Sequence, residues 1–325
     1  MNHRERIHAA LRGEPTDRVP VALWRHFPND DLQAETHAAR VVEFQNKFDF
    51  DFVKVTPAGG YPAEMYGAQL ENKGNREGTR AHIKRPVNDL ADWDKIAPLD
   101  ESNFVFARES AMLKLTRQRL GSDVHILQTI FSPLYSAGNL AGERMLSDLR
   151  AHPDVLHRAL KAITETTARF ALASLRAGAD AIFFATQMAT RSMVNEDEFG
   201  EFGERYDLQV LEAIRAAKPD FILLHIHGLD IYFDRLAKWN VDILNWHDRR
   251  TAPSLKDART QTNKVLLGGI NEWDTLSKGT PTQIIDEARG AVALTDGRGF
   301  ILGAGCVIPI DTPEENVRAV IEATW

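Results

Sequence analysis

Eight short apolar runs, spaced along the chain by longer amphipathic stretches, restrict the fold of this sequence more than any other feature. They are Val19–Arg25, Phe50–Pro57, His125–Ser132, Asp180–Gln187, Phe221–Gly228, Val241–Asp248, Lys264–Asn271 and Phe300–Ile308. Most are continuous in Val, Ile, Leu and Phe rather than strictly alternating, as expected of strands covered on both faces. Between them lie helix-length segments such as Pro153–Ala177 and Glu196–Ala217. The first sets Leu156, Leu160, Ile163, Thr167, Phe170 and Ala171 on one stripe at helical spacing. Strand–helix alternation implies parallel pairing through right-handed crossovers. Eight such units in 325 residues predict one closed (β/α)8 barrel, spanning residues 1–325 as a single domain.

Two additions to a minimal barrel are expected. Met1–Asp17 reads as an N-terminal helix with Ile7, Ala10 and Leu11 on one side, ending at Gly13 and Pro15. Gly59–Ser110, between the second and third strands, is too long for one crossover. Its Glu71-Asn-Lys-Gly-Asn-Arg-Glu-Gly78 stretch predicts a loop or hairpin lid over the barrel mouth, followed by a helix near Asn88–Ile96. A formal net charge of -7 argues against a nucleic-acid or anionic-membrane partner. The single cysteine excludes an intrachain disulfide. No apolar stretch approaches the roughly 18 residues of a membrane span, and the first residues lack the apolar core of a secretory signal. A cytoplasmic protein is therefore expected.

Chemistry in such barrels sits at the C-terminal ends of the strands. Those ends supply Arg25 with His26, Lys54, Ser132 with Tyr135, Gln187, His225 with His227, Asn245 through Asp248, Asn271 with Glu272, and Cys306. Residues two apart on a strand share a face, so His225 and His227 project together. Two imidazoles and a thiolate are good zinc ligands, and three ligands with one open position is the pattern of a catalytic site. The competing reading is two satisfied core histidines and an inert buried cysteine.

The remaining candidates carry alternatives of the same kind. Arg25 is placed to hold a substrate carboxylate bidentately, or to pair with a rim acid. Lys54 reads as a second substrate cation or a solvated rim charge, and Gln187 as a substrate contact or a loop brace. Trp246 reads as pocket wall or packing. His247 is either a fourth ligand or a hydrogen-bonding partner, and Glu272 a support for a ligating histidine or half of an ion pair.

Both ends of the chain resemble one family. Arg4-Glu-Arg-Ile-His-Ala-Ala-Leu-Arg-Gly-Glu-Pro-Thr-Asp-Arg-Val-Pro-Val21 is similar to the N-terminus of the uroporphyrinogen decarboxylase superfamily. Gly299-Phe-Ile-Leu-Gly-Ala-Gly-Cys-Val-Ile-Pro-Ile-Asp-Thr-Pro-Glu-Glu-Asn-Val317 resembles its C-terminal signature. The resemblance implies a (β/α)8 barrel and one of two chemistries. True decarboxylases carry an arginine pair after the first strand, where this chain has Trp24-Arg-His-Phe-Pro-Asn29 with one arginine. They also have a histidine where this chain has Ala304, and an aspartate whose match here is Asp51 or Asp49. The zinc-dependent corrinoid:thiol methyltransferase branch carries His-x-Cys after the fifth strand and a Cys in the last. The resemblance therefore implies His225, His227 in place of a cysteine, and Cys306 as zinc ligands.

Exchanging one thiolate for a neutral imidazole makes the ligand set less negative and the metal a stronger Lewis acid. The activity so implied is zinc-dependent methyl transfer from a corrinoid to a small anionic acceptor such as a thiol, with a corrinoid protein as a candidate partner. In that scheme Arg25 and Lys54 fix the anionic end of the acceptor, and Asn245, His247 and Glu272 orient the ligands. His26, Tyr135, Gln187 and Trp246 line the site. Two alternatives stand beside it: a metal-free decarboxylase acting on a tetrapyrrole or smaller acid, and a non-catalytic corrinoid or porphyrin binder. An isologous homodimer is the default assembly.

Overall fold

Every apolar run becomes a strand in the computed structural model, which describes residues 1–325. The barrel strands are β1 (Val21–Ala22), β2 (Phe52–Val55), β5 (His125–Phe131), β6 (Ala181–Thr186), β7 (Ile222–Ile226), β8 (Ile243–Trp246), β9 (Val265–Ile270) and β10 (Phe300–Ala304). The two strands between, β3 (Gln69–Asn72) and β4 (Arg80–Lys84), form a separate antiparallel hairpin. The eight-stranded sheet runs β1-β10-β9-β8-β7-β6-β5-β2 with parallel neighbours throughout. Asp51 closes the seam between its two ends. Its N–H donates to Val21 O at 2.9 Å, and its carboxylate accepts the Val21 N–H at 2.7 Å. The chain is a (β/α)8 barrel.

Period-two alternation sorts the strand residues onto two faces. Ala22 and Trp24, Phe52, Leu127, Phe183, Leu223, Ile243, Leu267 and Ile301 belong to the cluster inside the barrel. Their neighbours in sequence, such as Leu224, Leu244 and Trp246, join the larger layer between strands and helices. This parity fixes which side chain at each strand end can enter the mouth.

The N-terminal helix is shorter than expected, His3–Leu11, because Asn2 caps it in a reciprocal box with Glu5 and the chain turns at Arg12–Gly13. The long insertion is a hairpin over the mouth, as its turn-rich sequence implies. The lid ends sooner than expected, since the helix Phe104–Leu120 begins inside Gly59–Ser110. The helix expected near Asn88–Ile96 is a short 3-10 helix, Leu90–Lys95, started by a box between Asp89 and Asp92. The hairpin is pinned beside its bend by Arg80, which pairs with buried Asp31. Its bend reaches the mouth at Gly78, where the backbone has φ +77° and a Cβ would lie 2.7 Å from His26 Cβ.

Candidate functional site

Four ligand atoms converge where β7, β8 and β10 end. His225 and His227 continue the inward parity of Leu223, and His247 that of Ile243 and Asn245. Cys306 arrives differently. Alternation would turn it outward with Leu302 and Ala304, but β10 stops at Ala304 and the chain bends at Gly305–Cys306. Gly305 makes that bend possible, since a Cβ there would lie 2.8 Å from His247 Cα and 3.1 Å from Trp246 O. The thiol is thus carried back over the barrel interior.

The spacing within the cluster is specific. His225 Nε2 lies 3.4 Å from His227 Nδ1, which lies 3.3 Å from His247 Nε2. Cys306 Sγ is 3.6 Å from His225 Nε2 and 3.7 Å from His227 Nδ1. A tetrahedral zinc with N at about 2.05 Å and S at about 2.3 Å has ligand–ligand edges of about 3.3 Å (N–N) and 3.6 Å (N–S). All four ligand atoms lie within 4.8 Å of one another. The residues fit a zinc ion.

Supporting groups orient two of the rings. Asn245 Oδ1 sits 2.6 Å from His225 Nδ1, and its Nδ2 donates to Leu267 O and Ala304 O. The amide is therefore fixed with its oxygen toward the ring, and His225 presents a lone pair at Nε2. Glu272, itself buried, accepts from His247 Nδ1 at 2.8 Å and leaves that ring's Nε2 facing the cluster. Burial, aided by the adjacent imidazoles, holds His225 well below the usual histidine range, and burial brings His227 down to about 3. Both rings are neutral, the form that binds a metal. Burial pushes the Cys306 thiol up to about 12, with the Glu272 charge adding to it. Metal capture must therefore expel a proton near neutral pH.

The cluster forms one wall of a cavity of about 260 Å³ beneath the hairpin. His26, Lys54, Tyr135 and Gln187 line it, as expected from sequence. Lys54 is no solvated rim charge. It points into the barrel, 4.6 Å from the Phe183 ring centre, and its only hydrogen bond is to Thr56 Oγ1 at 3.2 Å. With no carboxylate to offset burial, its ammonium falls to about 7. His26, brought down to about 3 by burial and by Lys54, is neutral and adds no charge.

Three expected site residues fall elsewhere, two of them by parity. Arg25 lies between inward Trp24 and His26 and so faces outward. It stacks over Phe27 and Phe44, donates to Ile310 O at 2.8 Å, and lines a separate outer cavity. Trp246, between Asn245 and His247, is buried behind the strand with Nε1 bonded to Pro253 O. Asn245 lies beneath the cavity as a support of His225 rather than on its surface. Asp51 and exposed Asp49, the two possible matches to the decarboxylase aspartate, are at the opposite end of the barrel. Sequence reasoning missed Glu77, Arg80 and His82, which reach the cavity from the hairpin. The turn-rich lid segment was the available signal, but nothing in it gives the direction of its side chains.

Comparison with known proteins adds a family and a fold. The family model described as "Uroporphyrinogen decarboxylase (URO-D)" matches residues 2–324. The methylcobamide:CoM methyltransferase MtbA of Methanosarcina mazei is 24% identical, over 98% of this chain and 96% of the relative. The methylcobamide:CoM methyltransferase MtaA of Methanosarcina barkeri is 25% identical with the same coverage. A uroporphyrinogen decarboxylase of Chloroherpeton thalassium is 23% identical over 96% of this chain and 94% of its own length. The solved structure of a methyltransferase from Methanosarcina mazei superposes with a TM-score of 0.87 at 22% identity, covering 100% of this chain and 98% of that one. No helix is long and apolar enough to cross a membrane.

Proposed function

Because this chain belongs to the uroporphyrinogen decarboxylase family, an enzyme family, we propose that it is the methyltransferase kind of member, moving a methyl group from a corrinoid to a small anionic acceptor such as a thiol. The observation that carries the proposal is the convergence of His225, His227, His247 and Cys306 at the barrel mouth, with four of their ligand-atom separations at tetrahedral edge length. His225, His227 and Cys306 would hold zinc, with His247 as a further donor beside them. Zinc held there supplies Lewis acidity, lowering the pKa of the acceptor's thiol.

The protein's own groups do the rest. Asn245 and Glu272 keep two imidazoles turned toward the site without reorganisation. Lys54 meets the acceptor's anionic end, an ion pair that the buried ammonium lacks in the free protein. Trp24 and Phe183 wall the cavity against water. About 260 Å³ holds only a small molecule, at or below the smallest usual ligand pockets. A corrinoid, far larger, would present its methyl group at the mouth, which makes a corrinoid protein the fitting partner.

The charge of that cavity opposes the decarboxylase reading, because a tetrapyrrole would bring eight carboxylates to it. Lys54 is the one cation in the cavity without an acidic partner. The test is zinc content after purification without chelator, followed by methylcobalamin with short thiols bearing an anionic group. About one mouth zinc and thioether formation are expected. No zinc uptake, or conversion of uroporphyrinogen to coproporphyrinogen, would overturn the proposal.

A further inference from the structure

A second convergence of metal-binding groups lies at the other end of the barrel. His8 stands in the last turn of the N-terminal helix, His125 opens β5, and Asp220 precedes β7. Their ligand atoms lie within 4.8 Å of one another. His125 is fully buried, yet neither of its ring nitrogens has a hydrogen-bond partner. A buried polar group without a partner carries a desolvation penalty and calls for an explanation.

The ring's placement supplies one. Its Nε2 is 3.3 Å from Asp220 Oδ2, but not aligned to form a hydrogen bond. That is the edge of a tetrahedron of N and O ligands around zinc, about 3.3 Å, in which lone pairs aim at a common centre rather than at each other. Edge contacts with His8 at 5.1 Å and Phe221 at 5.2 Å between ring centres hold the imidazole in place. Burial and the Arg4 charge bring His125 down to about 4, so it is neutral and free to ligate. Arg4 donates to Asp220 Oδ2 at 2.9 Å, fixing the carboxylate while opposing a cation nearby.

We propose that His8, His125 and Asp220 form a divalent-cation site, of zinc type, that staples the N-terminal helix to β5 and β7 beneath the barrel. It is independent of the methyltransferase reading, and Arg4 makes it the weaker of two sites. The experiment is zinc titration of the full chain against a chromophoric chelator, in four forms: unaltered, Cys306→Ser, His8→Ala, and the double variant. Asp220→Asn, a conservative change at a half-exposed position, guards against misfolding of His8→Ala. Two zinc equivalents are expected in the unaltered chain and one in each single variant, with at least tenfold weaker residual binding in the double. Cobalt substitution separates the sites: His8→Ala keeps the thiolate-to-cobalt absorption and Cys306→Ser loses it. Absence of zinc binding in Cys306→Ser, or two equivalents retained in both His8→Ala and Asp220→Asn, would overturn the second site and leave the mouth reading untouched. Zinc lost in His8→Ala but unchanged in Cys306→Ser would instead overturn the mouth reading.

Discussion

The two ends of this barrel treat buried charge in opposite ways. At the N-terminal end Asp51 is fully buried but accepts from Arg6 at 2.6 Å, Arg18 at 2.6 Å, His3 at 3.1 Å and the Val21 N–H. Arg4 and Arg117 likewise both pair with Asp180. At the C-terminal end the lid's Arg80 keeps Asp31, but Lys54 has no acid and four ligand atoms crowd one point. Paired charges close a fold, whereas unpaired ones await a ligand. The division matches the general rule that the lower face of such barrels serves stability and the upper face chemistry.

The sharpest way to break this contrast is a pair of substitutions. Asp51→Ala strands the buried Arg18 guanidinium, takes one of Arg6's two acidic partners, and should cost about 3–5 kcal/mol, or prevent folding. Lys54→Met removes an uncompensated charge and should leave the urea midpoint unchanged or raised. Equal destabilisation by both would show that the ends do not differ. Next in size, Cys306→Ser removes the only anionic ligand of the mouth cluster. Zinc affinity there should fall on the order of 100-fold or more, beyond the roughly 10–100-fold that loss of a supporting hydrogen bond costs, with little change in Tm of the metal-free protein.

Within the mouth, Lys54 and Arg25 divide cavity from exterior. Lys54→Met should weaken the acceptor by about 1.5–3 kcal/mol, as expected for a hydrogen bond to a charged group, read as a rise in KM. Arg25→Ala should leave that KM unmoved, because its guanidinium faces the outer cavity. Glu272→Gln tests the support beneath the ligands and should lower zinc affinity roughly 10–100-fold by competition titration.

The smallest effect concerns His3 at the lower end, whose pKa is raised above its ordinary 6.5, chiefly by its hydrogen bond to Asp51 against the cost of burial. A raised histidine stabilises fully below pH 6.5 and loses that contribution as pH rises through its folded value. His3→Gln should therefore narrow the stability difference between pH 5.5 and 8. Solvent screening limits the change to a few tenths of a kcal/mol, roughly. A larger loss at pH 8 than at pH 5.5 would contradict the sign.

How much of the site could be read from sequence depended on parity and on long-range approach. His225 and His227 were legible because residues two apart on a strand must share a face. Applied at every strand end, the same rule separates His26 from Arg25, and both Asn245 and His247 from Trp246. Taking every residue at the strand ends as a candidate carried Arg25 and Trp246 toward the site against that rule, and the structure follows the rule. Lys54 obeyed it, but its lack of a partner depends on what Trp24, Phe183 and Thr56 leave around it.

The sequence by itself determined the barrel, its eight strands and the mouth as the place for chemistry, because period and apolar run length are local and each strand buries two faces. Three things were left to tertiary structure. The bend at Gly305 that returns Cys306 to the interior depends on the backbone of β8 passing within van der Waals reach. The pairing of Glu272 with His247 depends on the stagger of adjacent strands. The meeting of His8, His125 and Asp220 joins parts of the chain more than 90 residues apart. These are distances across the fold, and no local pattern of residues encodes them.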